Sequence, residues 1–348
     1  MKGTMKAIQK VSPGRGAKLV EVPIPDPTSH QVLVKVRAAS ICGTDVHIYN
    51  WDSWASHRIR PPMIFGHEFA GEVVKVGSQV EHIAVGDHVS AETHIPCGGC
   101  YQCRTGQMHI CQNLEIVGVD RDGCFAEYIA VPEICCIKND KDLPWEVAAI
   151  QEPLGNATYC VSESEVAGKS VAIFGDGPIG IFATGIARAY GATSVIVCGM
   201  QKFRLNLIRG FHPDHVIDVT KDDPRRVIKD ITKGQCVDVV LEMSGSEKAI
   251  HDGLAVVKSG GTFVAFGIPS KPIHLDLAEE VIFKGIRILG IIGRKMFETW
   301  HEVANLLGSG RLDVSSVLTH RFPLEKIDEA MALLTTKEIQ AGKIILKP

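Results

Sequence analysis

The sequence has no run of eighteen uncharged apolar residues, so no membrane-spanning helix is expected. Its opening residues, Met1-Lys2-Gly3-Thr4-Met5-Lys6-Ala7, lack the apolar stretch of a secretion signal. An excess of positive charge is missing too. The net charge is −3, which argues against a nucleic-acid partner, because such proteins usually carry a basic face. There is no internal repeat and no low-complexity tract, so a solenoid or a flexible linker is not expected. Eleven cysteines without a secretion signal point to a reducing compartment, the cytoplasm, rather than to a disulfide scaffold. What remains is a globular chain of 348 residues, a length that suggests about two domains.

Four of the cysteines stand close together. Cys97, Cys100, Cys103 and Cys111 read C-x2-C-x2-C-x7-C, with Gly98 and Gly99 where the chain must fold back. Four thiolates on one loop can close a tetrahedron around Zn²⁺, the usual form of a structural site. The short spacings suit metal chelation better than disulfides. An iron–sulfur cluster is the chemical rival, and only the rest of the chain separates the two. Cys124, Cys135, Cys136, Cys160, Cys198 and Cys236 sit mostly among apolar residues and read as inert buried thiols.

The first half carries short β-like runs: Val32–Val36, Gly71–Val76, and a turn at Gly86-Asp87 leading into Val89. Strands separated by Gly, Pro and Asp turns suggest a barrel-like all-β unit. After about residue 154 strand and helix candidates alternate. Strands are expected at Ser170–Phe174, Ser194–Cys198, His215–Val219, Val237–Leu241, Thr262–Phe266 and Ile286–Ile291, and a helix at Pro178–Tyr190. That rhythm implies a doubly wound parallel sheet.

Gly175-Asp176-Gly177-Pro178-Ile179-Gly180 follows the first of these strands and opens the helix. It is G-x-G-x-x-G in the context that dinucleotide binding requires: a tight turn, a close backbone approach to pyrophosphate, and close packing of helix on strand. An acidic residue for the adenosine ribose should end the second strand, but Cys198-Gly199-Met200 holds none. Lys202 and Arg204 follow, so NADP stays open beside NAD. In the first half Cys42, the run Gly66-His67-Glu68-x2-Gly71-x5-Gly77, and Glu152 bring a thiolate, an imidazole and carboxylates from separate loops. Mixed donor sets of this kind leave a coordination position for water or substrate, as catalytic zinc needs.

Together these features resemble the zinc-dependent medium-chain dehydrogenase/reductase family, along essentially the whole chain. The resemblance implies an α/β fold: a GroES-like β-barrel catalytic domain with the cysteine lobe (1–153), a Rossmann dinucleotide-binding domain (154–292) and a C-terminal return to the catalytic domain (293–348). Glu152–Ala157, Gly290–Trp300 and Glu92-Thr93-His94 are similar to the members that oxidise the C3 hydroxyl of L-threonine to 2-amino-3-oxobutanoate with hydride transfer to NAD. The nearest alternative is a polyol or secondary-alcohol dehydrogenase of the sorbitol or 2,3-butanediol type. An alternative of another class is a non-catalytic zinc scaffold.

The resemblance also implies residue roles. Cys42, His67 and Glu68 would hold a catalytic zinc, with Glu152 ligating or exchanging with water. Cys97, Cys100, Cys103 and Cys111 would hold a structural zinc. Thr44 and His47 would relay the proton. Gly175, Gly177, Ile179, Gly180, Gly199, Arg204, Phe266, Gly267, Ile268, Ile291 and Ile292 would contact the cofactor. His94 and Arg294 would recognise the substrate, Arg294 being equally readable as a structural or interface residue. A cytoplasmic homotetramer acting on a small molecule is implied, with no nucleic-acid or membrane partner.

Overall fold

Apolar side chains recurring along the first half build strands whose buried faces meet in one core. The computed structural model describes residues 3–348. The chain divides into two compact units. One is the chain up to Pro153 with Lys295–Trp300 and Leu318–Pro348; the other is Leu154–Arg294 with His301–Val317. The tail is thus shared between the units.

In the first unit the main sheet runs Cys136–Lys138, His88–Ala91, Glu68–Val76, Gln31–Ser40, Lys343–Lys347, Leu318–Pro323, and Tyr128–Pro132 also pairs with Gln31–Ser40. A smaller sheet joins Lys18–Pro23, Thr4–Lys10 and Met63–Ile64. Val32, Val34 and Val36 enter the core with Phe65, Phe69 and Phe125. The Phe65 and Phe125 rings meet edge to face, 5.1 Å apart at 67°. Register positions the chemistry: Ser40 pairs with Glu68 on one side and with Ile345 on the other. The end of one strand, the start of a second and the C-terminal strand therefore converge just before Cys42.

Helix α1 (Gly43–Asn50) starts at that point. Helix α2 (Gln151–Glu163) carries the chain from one unit into the other. Both are short or follow a turn, and neither shows in the sequence as a clear apolar stripe.

The second unit holds six strands, β1 (Ser170–Phe174), β2 (Ser194–Gly199), β3 (His215–Asp218), β4 (Val237–Glu242), β5 (Val257–Ala265) and β6 (Arg287–Gly290). All pair in parallel, in the order β3-β2-β1-β4-β5-β6. That is the order of a dinucleotide-binding sheet, in which ligands lie beyond the carboxyl ends of the strands. Helix α3 (Pro178–Ala189) packs its Ile181–Ala187 run into the interior, with proline in its first turn where the missing N–H costs nothing. Leu312 and Phe211 cover α3 at Gly185, which is why part of the tail belongs to this unit. Among the described residues no helix is long and apolar enough to cross a membrane.

Phe125 is fully buried at the centre of the first core. Phe125→Ala should cost about 3–5 kcal/mol. Urea unfolding checks this, with a lower midpoint expected.

Candidate active site and metal centres

Cys42 caps the N-terminus of α1. Its backbone N–H donates to Asp45 Oδ2 at 2.8 Å, and the Asp45 N–H points back at its sulfur. The cap fixes the thiol at the end of a helix, where free N–H groups favour negative charge. His67 and Glu68 come from the start of the neighbouring strand. Gly66 before them has φ +90, and a Cβ there would strike the Phe125 ring. The sulfur of Cys42, a His67 ring nitrogen and a Glu68 oxygen lie within 4.8 Å of one another. His67 and Glu68 are buried, and Cys42 is half-buried.

The charges of this cluster are strongly coupled. Burial pulls the His67 pKa down, but Asp45, then Cys42 and Glu152, carry it up to about 10. Burial raises Asp45 to about 6 against the pull of His67. His67 Nδ1 stands 3.6 Å from Asp45 Oδ1, beyond hydrogen-bond reach, so the carboxylate acts on the ring through its charge. One Glu68 oxygen, Oε1, is buried without a hydrogen-bond partner. The other pairs with the buried ammonium of Lys343, which also donates to the Ile41 carbonyl at 2.8 Å. A thiolate, an imidazole and a carboxylate form a donor set suited to zinc with one position left open.

Thr44 and His47 lie three residues apart on α1. The Thr44 hydroxyl is 3.9 Å from the Cys42 sulfur. His47 is exposed, hydrogen-bonds through Nδ1 to Asp52, and meets the Trp54 ring edge-on. Glu152 lies outside the three-residue donor set but couples to His67, and the Thr93 hydroxyl stands 3.4 Å from its Oε1. Buried Glu92 accepts from the His94 N–H at 2.9 Å and from the Trp300 indole at 2.8 Å, tying His94 to the tail segment. Arg294, in the second unit, is buried, donates to Asn156 Oδ1 at 3.0 Å and packs where Gly155 lacks a side chain.

The four lobe cysteines converge as well. Cys100 sulfur stands 3.5 Å from Cys103 and 3.8 Å from Cys111. A disulfide needs about 2.05 Å. A tetrahedron with Zn–S bonds of about 2.3 Å has edges of about 3.8 Å. The thiols are free, and the Cys97 and Asn113 N–H groups both point at Cys111 sulfur at 3.3 Å. N–H groups of Gly99 and Cys100 bring the Cys97 thiol down to about 6, while burial holds Cys103 up at about 12. The spacing and the N–H donors fit a closed all-sulfur zinc site.

In the second unit Gly175 turns at φ +127, and a Cβ on Gly180 would collide with the Gly175 carbonyl. A Cβ on Gly177 would meet nothing, so the loop leaves an open cradle at the N-terminus of α3, a ready anion site. Ile179 is half-buried beside it. Gly199 ends β2, Phe266, Gly267 and Ile268 follow β5, and Ile291 and Ile292 follow β6. These positions all lie at the carboxyl edge, where a dinucleotide fits. Arg204 sits on the helix after β2, half-buried and within the field of Asp176.

Sequence reasoning missed Asp45 and Lys343. Asp45 had a signal, its place three residues after Cys42 in a capping box. Lys343 had a weaker one, a lysine leading the apolar run Ile344-Ile345-Leu346. Lys343→Met should cost about 3–5 kcal/mol, because it strands the Glu68 charge in the interior. The double variant with Glu68→Gln should recover most of that loss. A urea-unfolding cycle of the four proteins measures both.

Comparisons with known proteins show the family. Residues 28–141 match the family described as "Alcohol dehydrogenase GroES-like domain", and residues 178–309 match "Zinc-binding dehydrogenase". The L-threonine 3-dehydrogenase of Bacillus subtilis (strain 168) is 48% identical, with 99% of each chain covered. That of Symbiobacterium thermophilum is 48% identical over 100% of this chain and 99% of the relative. A solved protein of Sinorhizobium meliloti 1021, described as a zinc-binding dehydrogenase bound to NADP, is 30% identical, with a TM-score of 0.91 over 99% of this chain and 100% of that one. The chain belongs to the zinc-dependent medium-chain dehydrogenase/reductase family.

Proposed function

We propose that the chain oxidises the C3 hydroxyl of L-threonine to 2-amino-3-oxobutanoate with NAD, and that it holds two zinc ions, one catalytic and one structural. One observation carries the reading. A thiol–imidazole–carboxylate set within 4.8 Å, with His67 and Glu68 buried, lies beside a hydroxyl, in a chain 48% identical to an L-threonine 3-dehydrogenase across its length.

The substrate must lose a hydride from C3 and a proton from its hydroxyl. Zinc bound by Cys42, His67 and Glu68 would supply a Lewis acid that makes that hydroxyl acidic, and NAD would supply the hydride acceptor. The chain's own groups do the rest. The Thr44 hydroxyl, which both accepts and donates, takes the substrate proton. Exposed His47, oriented by Asp52, delivers a proton to water. Asp45 acts on His67 through its charge. Glu152 adds negative charge beside it and tunes its electron demand. His94, anchored through Glu92, and Arg294 recognise the ammonium and carboxylate of the amino acid, since a guanidinium grips a carboxylate through two bonds.

The chain is further proposed to work in the cytoplasm, where its eleven free cysteines stay reduced. A homotetramer is proposed, supported by the edge strand β6 and by exposed apolar residues Ile282, Phe283 and Ile288 near it.

Steady-state assays test the reading. L-Threonine should give a higher kcat/KM than 2,3-butanediol or sorbitol; a reversed order would favour the polyol reading. Glu152→Ala should lower kcat about tenfold or more with the fold intact, and an unchanged kcat would remove Glu152 from the chemistry. Arg294→Ala should raise KM for threonine about tenfold or more. An unchanged KM with a lowered Tm would make Arg294 a brace for α2 instead.

A further inference from the structure

The acidic residue expected at the end of β2 is absent from position 199, yet a carboxylate stands there. Asp176, the first variable residue of the glycine loop, is buried. Its Oδ2 accepts from the Met200 N–H at 2.7 Å and from the Gln201 N–H at 2.6 Å. Its charge therefore lies against the backbone leaving β2, although it comes from the turn after β1. Gly199 is what admits it. A Cβ at 199 would lie 2.6 Å from Asp176 Cβ, 2.8 Å from Asp176 Oδ2 and 2.8 Å from a Leu205 methyl. The backbone at 199 is not left-handed, so space excludes a side chain there, not conformation. An acid at 199 and an acid at 176 are thus alternatives, and this chain uses the second.

In this fold the residue ending the second strand faces the adenosine ribose. A carboxylate can accept about four hydrogen bonds, so two backbone donors leave capacity for ribose hydroxyls. A 2′-phosphate would bring a charge of about −1.5 to −2 to the same place. Arg204 does not reverse the balance. Burial lowers its pKa, and the field of Asp176 already opposes that shift, so its charge is matched by the same carboxylate. Lys202 is exposed to water.

We propose that Asp176 is the residue that selects NAD over NADP, its carboxylate taking the place vacated at position 199 and repelling a 2′-phosphate. The proposal rests on the NAD reading above. Its rival is a purely structural Asp176 that holds the β2 exit to the glycine loop.

Asp176→Asn separates the two, because an amide oxygen still accepts from Met200 and Gln201 while the charge is gone. Dissociation constants of NADH and NADPH are measured by nicotinamide fluorescence on the zinc-loaded protein, without turnover. The wild type should bind NADH about tenfold or more tighter than NADPH, and Asp176→Asn should shrink that ratio about tenfold. Combining Asp176→Gly, which removes the Cβ that a side chain at 199 would strike, with Gly199→Asp, which returns the acid to β2, should restore the preference for NADH. A wild type that does not prefer NADH overturns the NAD reading itself. A wild type that prefers NADH, with the ratio unchanged in Asp176→Asn, overturns the role of Asp176 alone. Equal weakening of both cofactors in Asp176→Asn also overturns it, since it marks a loop brace.

Discussion

The ammonium of Lys343 is the contact on which the Cys42–His67–Glu68 cluster depends. It is buried, pairs with Glu68 and donates to the carbonyl of Ile41, the residue before Cys42. One cation thus joins the C-terminal strand to both chain segments that carry the mixed donor set. Burying such a charge is costly unless its partners are in place, so the three segments are held together or the interior is left with an unpaired charge. The ammonium engages one Glu68 oxygen, and the other, Oε1, is buried without a hydrogen-bond partner.

The two candidate metal sites are built in opposite ways. In the lobe, four like donors lie within 4.8 Å of one another, two of their separations are 3.5 and 3.8 Å, and two backbone N–H groups meet the Cys111 sulfur. Nothing there remains open for a substrate. Around Cys42 the donors differ in kind, one residue is only half-buried, and a hydroxyl stands next to the sulfur. Closure serves stability, and incompleteness serves chemistry.

Much of this was legible in the sequence. The parallel sheet was, because its first two strands are apolar runs and a glycine turn marks the first crossover. The cysteine lobe was, because its spacing is local. The Cys42, His67 and Glu68 set was, because its motif is unusual. What stayed hidden depends on distant register or on a neutral position in a motif. Lys343 meets Glu68 across 275 residues, and only the pairing of Ser40 with both strands brings them together. Asp176 occupies a variable place in G-x-G-x-x-G, so its carboxylate had no reading until β2 was seen beside it. Helix α1 is one cap and two turns, too short for a periodic stripe. The tail was expected to return whole to the first unit, whereas His301–Val317 groups with the second, where Leu312 packs on α3.

Anomalous diffraction at the zinc edge tests the central claim most directly. The account predicts two peaks per chain, one inside the four lobe cysteines and one bounded by Cys42 and His67. A single peak in the lobe, with Cys42 and His67 bare in crystals of the active, zinc-supplied protein, would contradict it.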